Sequence, residues 1–405
     1  MARQCANFLD AWLEYSDPLP TPYLFRVWTG LGVISSALSR RVWLAGNERL
    51  PPCVPNLYLM LIGAPGVGKD VALNKGADLI LAANALAAPH HIARLGGESI
   101  SKKGLIDRLA DDRSKQVCSY KLGGESHTFE FHSLTFCIGE FSTAMPEYDP
   151  VLVPMLNDLF NSKSSYDDTI RGLEVSIKNP HLVLMAGNQP DTLAEVFPEK
   201  AFRMGLTSRI IFVFAEQPVI RDIFDENETK WDKTIFDKLA QDFCDIARMG
   251  GPFKVEAAVK KQINDFNRNR PGEIDMDKFK NYNTRRPLHI QKLAMICAAA
   301  ESNERIIRQR HWDRALDFLY MTEAKMPLMF ENVVSSRGYS EVYEEVFKMG
   351  SPLTNKQLSM RLSRTRTPLE VPLIIKQLKA DGVLVPEVNE LGVPKIPASY
   401  IVKRF

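Results

Sequence analysis

The sequence predicts an α/β protein: a parallel sheet flanked by helices, with a helical stretch ahead of it, and more helices and a small mixed domain behind it. Two observations predict the sheet. Between residues 57 and 215, short apolar runs of strand length alternate with helical stretches, as they do in parallel α/β sheets. The first run, 57–62, leads directly into the glycine-rich turn Gly63-Ala64-Pro65-Gly66-Val67-Gly68-Lys69-Asp70, and a helical pattern continues from Val71. A third observation sets the domain count, because 405 residues exceed one ordinary core and ask for two or three domains.

Taken in order, residues 1–50 read as a small helical N-terminal region, two helical stretches split by the proline-rich turn 17–22. The proline-bearing connector GNERLPPCVPN opens the core domain, 51–216, whose strands are expected near 57–62, 91–95, 134–138, 181–186 and 210–214. Residues 217–336 begin with a polar, poorly periodic stretch and continue as three or four helices between about 234 and 333, a helical lid. The last segment, 337–405, reads as three helices followed by the strand-like VLVP and SYIVKRF, the order of a winged helix. There are no repeats and no low-complexity tract.

The composition, 45% hydrophobic and 25% charged, is that of a globular protein, and no apolar stretch approaches the roughly 20 residues of a membrane span. The first residues mix acids and polar groups and lack a basic-then-apolar leader, so a cytoplasmic protein without membrane contact is expected. The six cysteines stand far apart with no CxxC pair, which argues against a zinc cluster or a disulfide framework. A net charge of +2 means that any nucleic-acid contact has to come from local basic patches.

The chemistry starts at the glycine-rich turn. A strand that ends in such a turn and opens a helix lets backbone N–H groups surround the phosphates of ATP, with Lys69 neutralising them. The usual pattern closes on Ser or Thr, whose hydroxyl holds Mg2+, and here Asp70 stands in that place. Phosphoryl transfer also needs an acid at the tip of a neighbouring strand, and SLTFCIGEFS supplies Glu140, with Gly139 where the usual pair has an Asp. The two departures are linked: Asp70 returns a carboxylate to the metal from the opposite side, so Asp70 and Glu140 are the metal candidates. The other reading of Asp70 is an acid favoured at a helix start. Asn188 ends the run HLVLMAGN, either as a sensor of the γ-phosphate or as the start of a turn. Ser208-Arg209 precedes the fifth strand, where an exposed arginine either reaches a neighbouring subunit's ATP or forms a surface salt bridge.

In this order, the phosphate loop, strand-terminal glutamate, sensor asparagine and Ser-Arg before strand five resemble the AAA+ ATPases. Within them the likeness is to ring helicases of phage and mobile-element origin and of the minichromosome maintenance type, which add a hairpin before the sensor strand and a C-terminal winged helix. Here YDDTIRGLEVSIKNP reads as two β-prone arms around Arg171-Gly172, with Arg171 at the tip and Lys178 on the second arm as DNA contacts. The resemblance implies a homo-oligomeric ring, a hexamer, that acts on single-stranded or forked DNA beside replication proteins, and a second sensor from the lid, Arg286 with Lys292 next to it. The winged helix would meet phosphates through Lys356, Arg361, Arg364, Arg366, Lys376 and Lys379, or would bind protein instead. The rival reading is an ATP-dependent DNA-bound regulator or helicase loader that does not unwind.

Overall fold

The computed structural model describes residues 3–44, 52–98, 100–145, 149–170, 173–198, 201–202, 205–222, 232–329, 345–363, 370–380, 383–387 and 399–402. The chain forms two compact units, Met1–Phe330 and Glu331–Phe405. Among the described residues no helix is long and apolar enough to cross a membrane.

The first unit opens with α1 (Phe8–Tyr15), capped by the Asn7 side chain, and α2 (Tyr23–Leu38), which follows Pro22. Both helices expected in residues 1–50 are present, with the proline-rich turn between them. They do not stand apart as a lead-in domain, because α2 is buried along almost its whole length and belongs to the apolar core that contains the sheet. The short β1 (Val42–Leu44) leads through the connector to β2 (Tyr58–Ile62), which is buried throughout and feeds α3 (Lys69–Leu86). Next come α4 (Lys102–Ala110), β3 (Lys115–Leu122), β4 (Glu125–Ile138), the short α5 (Phe141–Ala144) and α6 (Leu152–Phe160). The hairpin β5 (Ser165–Ile170) and β6 (Leu173–Lys178) precedes β7 (Pro180–Asn188), then α7 (Pro190–Val196) and β8 (Ile210–Phe214).

The main sheet has the order β3-β4-β7-β2-β8, in which β4, β7, β2 and β8 are parallel and β3 is antiparallel to β4. Layers on both faces bury β2, β7 and β8 completely, which is why their sequences are continuous apolar runs rather than alternating ones. The strand expected at 91–95 is a correction: it is reduced to one bridge between Leu95 and Thr135. Gly96 N–H donates to the Thr135 carbonyl at 2.7 Å and Thr135 N–H to the Arg94 carbonyl at 2.9 Å, an approach that needs glycine because a Cβ there would strike the Phe136 ring. The strand expected at 134–138 begins earlier, at Glu125, because its first half pairs with β3 around Gly123-Gly124, both at positive φ (+62° and +91°).

Beyond β8 the four helices α8 (Lys233–Ile246), α9 (Ala257–Asn269), α10 (Lys280–Glu301) and α11 (Gln309–Glu323) match the expected helical segment. They interleave with β9 (Gly251–Val255) and β10 (Ile306–Ile307), which join β1 in a small parallel sheet of order β1-β9-β10. Residues of these helices share one apolar core with the main sheet rather than forming a separate body: Trp28 on α2 donates to Thr322 on α11 at 2.6 Å.

The second unit contains β11 (Leu353–Thr354), α12 (Asn355–Leu362), α13 (Glu370–Ala380), β12 (Leu384–Pro386) and β13 (Ser399–Val402). Its strands form an antiparallel sheet of order β11-β13-β12 over a core that includes Val346, Leu358, Leu362 and Leu378. Thr354 and Gln357 close a capping box at the start of α12. Lys356, Arg361 and Lys376 are exposed, Lys379 covers the Tyr400 ring at 4.4 Å, and Arg364 and Arg366 lie outside the described residues.

Candidate nucleotide site

The glycine-rich turn leaves the sheet between β7 and β8. Ile62 stands in register with Asn188, and the Gly63 N–H donates to the Asn188 carbonyl at 3.3 Å. Gly66 and Gly68 both take positive φ (+81° and +91°), a conformation a side chain would strain, and so bend the chain around a hollow before α3 begins. Val67 anchors the loop from inside, Val71 is half-buried in the first turn of α3, and Ala64, Pro65 and Gly66 are exposed. The first N–H groups of α3 have no partner within the helix, and with its dipole they favour an anion at this mouth. Lys69 is buried with its ammonium donating to the carbonyls of Gly63 (2.6 Å) and Ala64 (3.2 Å). Burial lowers its pKa, and the carboxylates of Glu140 and Asp70 work against that shift.

The connector between α1 and α2 closes the back of this loop. A Cβ on Gly68 would run into the Pro20 carbonyl oxygen and lie 3.0 Å from the Thr21 Cα. Pro20 and Thr21, in a region the sequence leaves without a role, therefore pack directly against the glycine-rich turn.

Two carboxylates face the loop. Gly139 follows β4, and a Cβ built on it would stand 2.9 Å from Asp70 Oδ1, so the Asp70 carboxylate fills the space next to the backbone of residue 139. That is the contact required if Asp70 is to supply the carboxylate that position 139 lacks. Gly187 completes the interlock, since a Cβ there would strike the Gly139 carbonyl and approach the Lys69 Cβ at 3.4 Å. The half-buried Glu140 accepts from the Ser142 hydroxyl (2.9 Å), the Gln189 N–H (3.3 Å) and the Gln189 amide (3.4 Å). Asn188 is fully buried at the tip of β7, where its Oδ1 accepts from the Ser142 N–H at 3.2 Å and its Nδ2 donates to the Gln189 carbonyl at 3.2 Å. The tip of the sheet thus gathers Lys69, Asp70, Glu140 and Asn188. Two hard carboxylates suit Mg2+, which keeps several waters and takes phosphate oxygens for the rest of its shell. Among the described residues no group of three or more His, Cys, Asp or Glu side chains could hold a metal by itself.

Three basic residues expected to work here are elsewhere. Arg209 is a correction: it is buried rather than exposed on the sheet's flank, with Nη1 donating to the Gly205 carbonyl (2.6 Å) and Nη2 to Asn161 Oδ1 (3.3 Å). The turn before β8 is tucked beneath α10, where Arg285 Nε donates to the Ser208 hydroxyl at 2.9 Å and covers it. Arg286 is a second correction. It is wholly buried, with Nε and Nη2 each 2.7 Å from a different oxygen of Glu323, and so ties α10 to α11 instead of reading a phosphate. Lys292 is equally buried, bonded to Asn56 and 3.7 Å from the centre of the Phe160 ring. Asn56 precedes β2, so Lys292 lies at the end of the sheet opposite the phosphate loop.

Burial pushes the Lys292 ammonium down from 10.5 to about 7, with Arg285 and Arg209 adding repulsion. The unfolded chain therefore holds this proton to higher pH than the folded one does, and unfolding free energy rises with pH between those two values. Below pH 7 this slope vanishes. Lys292→Met should remove that part of the rise, measured as the difference in urea midpoint between pH 7.5 and 9.5 for parent and variant. Equal slopes in the two proteins would show that Lys292 is charged in both states.

Of the two residues expected to contact DNA, Arg171 lies outside the described residues. Lys178 sits at the base of the β5–β6 hairpin opposite Ser165, 70% exposed and 4.0 Å from the Glu130 carboxylate. Sequence reasoning missed Ser142 and Gln189. Both were within reach, being two residues past the candidate glutamate and one past the candidate sensor. Comparison of the sequence with known protein families and with curated proteins finds no match.

Proposed function

We propose that this chain is an ATP-driven motor of the AAA+ kind that assembles as a homo-oligomeric ring, a hexamer, and moves along single-stranded DNA as a helicase of mobile-element type. The observation that carries the reading is the convergence of Lys69, Asp70, Glu140 and Asn188 at the carboxyl ends of three adjacent parallel strands, β2, β4 and β7. In that arrangement the loop and Lys69 would hold the phosphates of ATP, Asp70 would hold Mg2+ with Glu140 reaching it through water, and Glu140 would take the proton of the attacking water. The strand order and the hairpin directly ahead of β7 support the same family. That hairpin would carry Arg171 and Lys178 to the phosphates of the DNA, a salt-sensitive and sequence-indifferent grip. The three-stranded sheet and helices of the second unit support a winged helix.

One observation favours the rival reading, a DNA-bound regulator or helicase loader. Arg209 and Arg286 are both buried and engaged, so neither the arginine for a neighbour's ATP nor the second sensor stands free to meet a phosphate. ATPase rate with and without single-stranded DNA, run beside strand displacement on a forked duplex, separates the two. The motor predicts stimulation and displacement. Hydrolysis without displacement identifies the regulator, and a chain that neither binds nor hydrolyses ATP overturns both.

A further inference from the structure

Three hydrogen bonds converge on the Glu140 carboxylate, and they are unequally shared. Oε1 accepts two, from the Ser142 hydroxyl at 2.9 Å and the Gln189 backbone N–H at 3.3 Å, while Oε2 accepts one, from the Gln189 side-chain amide at 3.4 Å. A carboxylate oxygen offers two lone-pair directions. Oε1 is therefore filled, and Oε2 keeps one direction open.

We infer that Gln189 is the positioning residue that selects Oε2 as the proton-accepting oxygen, with Ser142 fixing Oε1. The step balances within the site: water adds to the γ-phosphorus, the bond to the bridging oxygen breaks, and the water proton passes to Oε2 as the diphosphate leaves. Gln189 directly follows Asn188, whose amide donates to the Gln189 carbonyl at 3.2 Å and accepts from the Ser142 N–H. The strand tip that adjoins the phosphate loop is thus the tip that aims the carboxylate.

The inference rests on the proposed reading of Glu140 as the residue that takes the proton. Gln189 is half-buried, so shortening it leaves the core intact. The test compares Gln189→Ala and Gln189→Met, the latter keeping the volume without the donor, by phosphate release and by titration with a fluorescent ATP analogue. Both variants are expected to lose kcat roughly 10- to 100-fold, the scale of a misaligned catalytic group, with KM and analogue affinity within about twofold of the parent. Unchanged kcat in Gln189→Met overturns the inference, and so does a loss of analogue binding that matches the loss of rate. Glu140→Gln run in parallel tells the two failures apart. If it turns over normally, the reading of Glu140 itself falls. If it is inactive while Gln189→Met is normal, only the role of Gln189 falls.

Discussion

Glu140→Gln is expected to bind ATP as tightly as the parent and to hydrolyse it roughly 10²- to 10⁴-fold more slowly, the usual contribution of a positioned general base. The substitution keeps the size and the hydrogen-bonding reach of the side chain but removes its ability to take a proton, while the loop and Lys69 hold the phosphates as before. Asp70→Asn should act differently. Its carboxylate lies beside the backbone of Gly139, facing the same mouth, and loss of that charge should raise the magnesium concentration needed for half-maximal hydrolysis without abolishing it. Magnesium titrations that overlay for parent and Asp70→Asn would reduce Asp70 to a helix-start residue. Full turnover in Glu140→Gln would remove the catalytic assignment altogether.

Arg286→Met should destabilise the first unit by about 3–5 kcal/mol, because it strands the Glu323 carboxylate in a site from which water is excluded. Adding Glu323→Leu should recover part of that loss, since it removes the stranded charge while the Tyr282 hydroxyl and the Pro271 carbonyl still lose their partners. Urea unfolding of the single and double variants measures both. A sensor of nucleotide would behave in the opposite way: Arg286→Met would leave stability nearly unchanged and weaken the response to ATP.

The parts legible in the sequence are those fixed by neighbours along the chain. The apolar runs that become β2, β7 and β8 need only burial on both faces, and the phosphate loop needs glycine where φ is positive, as at Gly66 and Gly68. The proximity of Asp70 to Gly139 was also readable, because one position lacks the usual carboxylate and the other carries an additional one. What escaped depends on residues far apart. Nothing local says that the 91–95 strand loses its place to β3, although Gly123-Gly124 between β-prone arms is a hairpin signal that could have located β3. Nor does local pattern distinguish a guanidinium that meets phosphate from one that meets Glu323. Arg209 and Arg286 stand where the resemblance expects phosphate-reading arginines, and only contacts distant in sequence, with Asn161 for Arg209 and with Glu323 for Arg286, determine where they point.

The contact between Asp70 and the backbone of Gly139 also constrains the order in which this site can change. A chain that acquires an aspartate at position 139 while it still carries Asp70 brings two carboxylates into one space, where like charges repel. A chain that loses Asp70 first keeps only Glu140 of the two carboxylates at this mouth. On the proposed reading of the site, each single step would weaken the hold on the ion relative to either endpoint, so positions 70 and 139 are expected to change as a pair.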